Sequence, residues 1–320
     1  MIIRSLLLLL PLAFWGGLFI SQRLSIREIT ASFLGFVLVF LSALILNILL
    51  VDYDLLNLSI TDNLFYGVPF DMVFSQAVIT GALIPLSRLL GWGTGFRLVT
   101  QLLMLIVIYY VLGLEFANIT ASLFIVGAVI LFSAFPGMLL SDWTARGSNI
   151  GARSVLQSSA WACLLLWLFP SVVFYLTGAN WAGLLQRDLV LTGLYLLPLL
   201  LPACLIISAL YQFATEGDGT AFPYDPPVRL VTGGVYRYLS NPMQLGICLM
   251  MGWWGVVIQS IWISISALVS LVLFIVFKDV CNGSCAIGKN NRQWDDYQKM
   301  VPKWIPRLRS GVSRDSSRCK

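Results

Sequence analysis

From residue 31 to residue 51 the chain reads ASFLGFVLVFLSALILNILLV, without one charged side chain. A helix rises about 1.5 Å per residue, so roughly 20 such residues cross the hydrocarbon core of a bilayer. Comparable runs recur near 5–21, 31–51, 69–90, 96–114, 119–140, 155–177, 188–213, 241–258 and 260–278, and they predict nine spans. The expected fold class is therefore all-α, a polytopic membrane protein of about nine transmembrane helices that ends in a helix hairpin with a cytosolic loop and tail. With 58% hydrophobic and only 11% charged residues, 320 residues are too apolar for a soluble domain.

Arg4 ahead of the first apolar run is compatible with a signal peptide. The bulky Phe14-Trp15 and the lack of a small-x-small cleavage site favour a retained helix. Lys and Arg in short loops favour the cytoplasm. With the C-terminus inside, the inner loops carry Arg23, Arg27, Arg88, Arg97, Arg146, Arg153, Arg229 and Arg237. The outer side carries Arg4 and Arg187, together with Asp52, Asp54, Asp62 and Glu115. The expected orientation is N-out and C-in. The net charge of +5 comes largely from a basic tail after Lys278, which suits a membrane surface; no nucleic-acid motif accompanies it.

The first five runs show no chemical constellation. Asp71 and Glu115 fall at span edges, where solvated positions are expected, and Asn118-Ile119-Thr120 fits a glycosylation sequon. The polar stretch SDWTARGSNIGARS, 141–154, marks an expected boundary between an N-terminal helical bundle, 1–150, and a second domain, 151–320.

Between two apolar runs lies GDGTAFPYDPPVRLVTGGVYRYLSNPMQLG, 217–246. Asp225-Pro226-Pro227 stops a helix, because each proline fixes its own φ and restricts the residue before it. Gly233-Gly234 permits close backbone approach, and Tyr236-Arg237-Tyr238 adds two amphipathic rings and a fixed charge. Asn241-Pro242 signals a helix start, whose free N–H groups and positive dipole end suit a carboxylate or phosphate. After it, 243–258 and 261–278 are joined by only Gln259-Ser260, which predicts an antiparallel hairpin, and Trp253, Trp254 and Trp262 near its turn suit an interfacial belt.

The pattern DPP-x-x-LV-x-x-G-x-YRY-x-x-NPM-x-LG resembles the signature of the isoprenylcysteine carboxyl methyltransferase and phospholipid methyltransferase superfamily, and WDDYQKMVPKWIPR, 294–307, is similar to its closing segment. The resemblance covers roughly 190–308. It implies an integral membrane methyltransferase that takes S-adenosyl-L-methionine from the cytosol and a lipophilic or lipid-linked acceptor, a carboxylate, amine or thiol, from the bilayer. The implied cofactor-binding residues are Gly233, Gly234, Tyr236, Arg237, Tyr238, Asn241, Pro242, Leu245, Gly246, Trp294 and Tyr297. Arg237 would pair with the cofactor's carboxylate, and Asp225 or Asp279 would serve as a weak base. Expected partners are the lipophilic substrate and membrane lipids.

Two features depart from the family pattern. Ser240 and Gln244 stand where relatives carry Arg and Tyr around the Asn-Pro, and the paired glutamates after the last helix are replaced by Lys278-Asp279 and CNGSCAIGKNNRQW. The chain has no histidine, which removes the commonest proton shuttle and zinc ligand, and Cys281-x-x-x-Cys285 lacks the spacing and partners of a redox or zinc motif. Cys163, Cys204 and Cys248 fall in apolar runs as packing residues. Two alternatives remain open: an NADPH-dependent membrane reductase of the sterol-reductase type, and a non-catalytic member that binds a lipid or partner.

Overall fold

The computed structural model describes residues 2–21, 24–55, 57–58, 64–111, 114–115, 119–220, 229–276 and 292–307. These residues are mostly helical and divide into two compact units, Met1–Ala160 and Trp161–Lys320. The strands among them are two-residue pairs, Asn57-Leu58 with Leu114-Glu115 and Leu64-Phe65 with Val68-Pro69.

The first unit contains α1 (Ile2–Ile20), α2 (Ile26–Asp52), α3 (Phe70–Leu90), α4 (Thr94–Val111), α5 and the start of α6 (Ile150–Thr177). Helix α5 runs as Ile119–Val129, a π-helical segment at Ile130–Ala134, and Phe135–Arg146. Helix α2 opens on a capping box in which Ser25 Oγ accepts from the Glu28 N–H at 3.3 Å and the Glu28 carboxylate accepts from the Ser25 N–H at 3.1 Å.

Helix α2 packs against α3 and α5, and small residues set how closely. A Cβ on Gly35 would fall on the Gly81 carbonyl, one on Gly81 would stand 2.7 Å from the Gly35 carbonyl, and one on Gly137 would strike Val39. Three backbones meet where no side chain fits, as is usual when helices associate in lipid without a hydrophobic drive.

Each proline inside an apolar helix lacks an N–H and clashes with the preceding turn. At three of them the chain absorbs this by widening: π-helical segments at Ala77–Leu83, Ile130–Ala134 and Leu164–Leu168 immediately precede Ile84-Pro85, Phe135-Pro136 and Phe169-Pro170. The Gln101 amide then donates to carbonyls of two such segments, Thr80 at 3.0 Å and Ala134 at 3.3 Å. Loosened backbone at membrane depth is thus satisfied by a neighbouring helix.

The stretch 141–154, expected to be only a polar boundary, is chiefly helical. Asp142 lies on α5, Gly147 closes that helix at φ 67°, and Arg153 lies on α6. Asp142 accepts both Arg97 Nη groups, at 2.8 and 2.7 Å. Arg97 and Arg153, expected as loop charges, are only 1% and 2% exposed.

The second unit contains the rest of α6, then α7 (Leu189–Glu216), α8 (Pro242–Val257), α9 (Ile261–Val276) and α10 (Arg292–Met300). Pro198 sits in a 3₁₀ turn, Leu197–Leu199, that bends α7. The α8–α9 hairpin is antiparallel: a Cβ on Gly255 would meet Ser264, and one on Gly252 would lie 3.8 Å from Ala267. Trp254 Nε1 donates to the Leu166 carbonyl at 2.8 Å and Trp253 Nε1 to the Tyr195 carbonyl at 2.7 Å, so these two rings also tie helices together.

Among the described residues, five helices are long and apolar enough to cross a membrane: Ile26–Asp52, Phe70–Leu90, Ser122–Arg146, Ile150–Thr177 and Leu189–Glu216. Leu10–Ile20, Thr94–Tyr110, Pro242–Val257 and Ile261–Ile275 are apolar but shorter. Leu189, Val190, Leu194 and Leu201 on α7 are uncovered, an arrangement at ease in lipid and costly in water. The chain is a membrane protein.

Gly81→Ala tests the triple-glycine contact. The added methyl gains helix propensity but overpacks two backbones, so a net loss of about 1–2 kcal/mol is expected, read as a lower Tm of the detergent-solubilised protein.

Candidate functional site at the loop between α7 and α8

The last turns of α7 present Gln212 and Glu216 on one face, four residues apart. Beyond them the chain turns at Gly217 and Asp218, and the Arg229 N–H returns to the Gly217 carbonyl at 3.1 Å. The Gly233 N–H donates to Glu216 Oε2 at 3.1 Å, and a Cβ on Gly233 would collide with that carboxylate. Gly234 holds φ at +51°, and the space its Cβ would need is filled by the Gln212 amide. Gly234 is favoured by its positive φ, while Gly233 lies against a Glu216 side chain that could swing aside; the loop turns here into a 3₁₀ segment, Gly234–Arg237.

That turn buries Tyr236. Its ring meets Phe213 edge-on at 5.2 Å, within a cluster of Ala209, Val231, Tyr297 and Val301. Tyr297 comes from α10, and its hydroxyl donates to the Tyr236 carbonyl at 2.7 Å. Three more bonds join the same segments: Ser240 N–H to the Pro302 carbonyl at 2.9 Å, Arg307 N–H to the Tyr238 carbonyl at 3.2 Å, and Asn241 Nδ2 to the Lys303 carbonyl at 3.3 Å. The two blocks singled out in the sequence, far apart along the chain, form one unit.

Asn241 precedes α8, but its side chain makes no capping bond, being turned to Lys303 instead. The expected N-cap is thus a tie to the closing segment. Pro242 fills the first turn, and its missing N–H leaves no vacancy there. Gly246 faces α7, where a Cβ would stand 2.7 Å from Ile206, and Leu245 lines an apolar cleft. Tyr238 is exposed. Trp294 lies on α10, its side chain outside the described residues, as are Asp225, Asp279, Cys281 and Cys285 in their entirety.

Three buried polar atoms around the loop have no hydrogen-bond partner among the described residues: Arg237 Nε, Ser240 Oγ and Gln212 Oε1. An unpaired buried donor or acceptor is costly, so this corner is chemically unfinished. An apolar cleft of about 420 Å³ runs between α7, α8 and α9 and is lined by Pro202, Leu245, Cys248, Gly252, Ala267 and Leu271 among others. Its wall is almost wholly apolar. On α8 the cleft begins at Leu245 and runs along Cys248, Leu249, Gly252 and Trp253.

Gln212 and Glu216 escaped the sequence analysis, as did the orphaned hydroxyl of Ser240. Glu216 did carry a signal: it is a lone acid in the last turn of a long apolar helix, where the dipole disfavours a negative charge.

Burial raises the Tyr236 and Tyr297 phenols well above their ordinary value of 10.0. Raised folded values mean that the neutral forms are favoured on folding, so the contribution is complete below about pH 10 and fades above it. An ultraviolet phenolate titration should show both rings silent through pH 10. Tyr297→Phe should cost about 1 kcal/mol and release the closing segment, read as faster limited proteolysis near residues 300–307.

No curated protein and no solved structure matches the chain. The phospholipid methyltransferase family model matches residues 191–281, which take in α7, the loop at 217–246 and the α8–α9 hairpin.

Proposed function

We propose that this chain is a membrane methyltransferase that uses S-adenosylmethionine and acts on a lipophilic or lipid-linked carboxylate, amine or thiol. The observation that carries the proposal is the union of the 229–246 loop with the 297–307 segment, where polar side-chain atoms have no partner among the described residues and Leu245 enters the wall of an apolar cleft. The phospholipid methyltransferase match over 191–281 supports it.

The residues suit such a cofactor by charge. Arg237 and Ser240 would take its α-carboxylate, and Gln212 with Glu216 its α-ammonium, an opposed pair suited to a zwitterion. Bound there, the cofactor supplies a methyl group on a positively charged sulfur. The protein's own tasks are to orient it, exclude water and bring the acceptor into line. The cleft wall, Leu245 and Cys248 included, would hold the acceptor's hydrocarbon part. An ionised carboxylate needs no base; for an amine or thiol, Asp225 and Asp279 are the proposed weak bases.

In the proposed topology the four shorter apolar helices bring the spans to nine, with the loop, the closing segment and the C-terminus in the cytosol. Residues 151–320 form the methyltransferase-like domain, and 1–150 a separate helical bundle.

Calorimetric titration of the detergent-solubilised protein tests the proposal. S-adenosylmethionine should bind and NADPH should not; Arg237→Ala and Ser240→Ala should each weaken binding by roughly 10- to 100-fold, the loss of one charge-assisted hydrogen bond. NADPH binding alone would assign a reductase, and binding of neither would leave a non-catalytic protein.

A further inference from the structure

The ends of five helices in the first unit carry arginine: Arg27 at the start of α2, Arg88 at the end of α3, Arg97 at the start of α4, Arg146 at the end of α5 and Arg153 at the start of α6. They converge. Arg27 Nε donates to the Thr144 carbonyl at 3.0 Å and its guanidinium lies over Gly147, where a Cβ would exclude it. Arg153 Nη1 donates to the Trp143 carbonyl at 3.3 Å, and Arg88 Nη1 to the Pro85 carbonyl at 3.0 Å. Arg97 grips Asp142 with both Nη groups, and Arg88 stands 4.0 Å from the same carboxylate. Arg146 and Glu28 lie within electrostatic reach of Arg88.

Arg153 aside, the four guanidinium groups of Arg27, Arg88, Arg97 and Arg146 face two carboxylates among the described residues, Asp142 and Glu28, and Glu28 is already engaged with Ser25. The other described acids of this unit, Asp52, Asp54, Asp71 and Glu115, sit at the opposite ends of the same helices or in the loops beyond them. Among the described residues the surplus is two positive charges, and it is partly desolvated: the side chains of Arg88 and Arg97 are 11% and 2% exposed, and Arg88 Nη2 and Arg97 Nε are buried with no hydrogen-bond partner there. Buried charge without a counter-charge is strongly unfavourable, and the pair Arg97–Asp142 balances only itself.

We infer that this cluster binds a phosphate-bearing anion at the edge of the bilayer. Asp142 fixes the floor by orienting Arg97. Arg27 and Arg146, both exposed, form a rim that a ligand can reach, and Arg88 links rim to floor. Forked guanidinium donors from several helices match the several oxygens of a phosphate better than a single carboxylate, and helix ends of a membrane protein lie where lipid phosphates are. The site is independent of the loop between α7 and α8 and of the reaction proposed there.

The test uses the full chain in phosphatidylcholine nanodiscs, with phosphatidylglycerol or inorganic phosphate added, and reads Tm together with lipid retention by native mass spectrometry. The wild type should be stabilised, and Arg27→Gln, Arg146→Gln and Arg88→Gln should each weaken the response roughly fivefold, with high salt weakening it further. A response to phosphatidylglycerol alone identifies a lipid headgroup as the ligand; a response to inorganic phosphate as well identifies a free phosphate; both uphold the site. The inference is overturned if neither addition stabilises the wild type, if the rim variants respond as the wild type does, or if Arg229→Gln, an exposed arginine outside the cluster, loses as much. Should Arg88→Gln fail to fold, the two rim variants decide.

Discussion

Every peptide group that loses its helical partner inside lipid must find another, and this requirement governs how both units are built. Prolines interrupt α3, α5 and α6, and at each the helix widens into a π segment rather than breaking. Gln101 collects carbonyls from two of these segments, and Ser133 Oγ reaches the Val39 carbonyl of α2 at 3.2 Å. Side-chain polarity in the first unit is thus largely a response to backbone need, with glycines at 35, 81 and 137 bringing the donors close enough to serve.

The same constraint bears differently on the second unit, where α7 is mostly uncovered while the loop after it is dense with contacts. The loop's backbone is satisfied by Glu216 from one side and by the closing segment from the other. Around the loop, the side-chain atoms left without a partner among the described residues are those of Gln212, Arg237 and Ser240. Where the backbone is satisfied and side-chain atoms are not, the open hydrogen-bonding capacity is available to a ligand.

The apolar helices were legible because hydrophobic length is a local property, and so was the hairpin, since Gln259-Ser260 leaves no other path. The meeting of loop and closing segment was legible only as a resemblance; its bonds run between residues such as Tyr236 and Tyr297 that no periodicity connects. The Arg97–Asp142 pair was hidden for the same reason: each charge reads as a loop residue until the fold brings the two together. Asn241 misled in the opposite direction, because a sequence signal for a helix cap does not exclude a stronger partner in space. Gln212 and Glu216 fell inside and at the end of an apolar run, where composition hides the face that a side chain occupies.

Of the four bonds joining loop to closing segment, each has a main-chain carbonyl as its acceptor, and two have main-chain donors as well. Such a seam depends on the path of the chain more than on the identity of its side chains. Substitutions at Ser240 or Pro302 can therefore accumulate without parting the two segments, provided the backbone keeps its course. An architecture sewn in this way tolerates drift in its recognisable letters while its shape persists, and a departure from a familiar motif is then a poor measure of lost geometry.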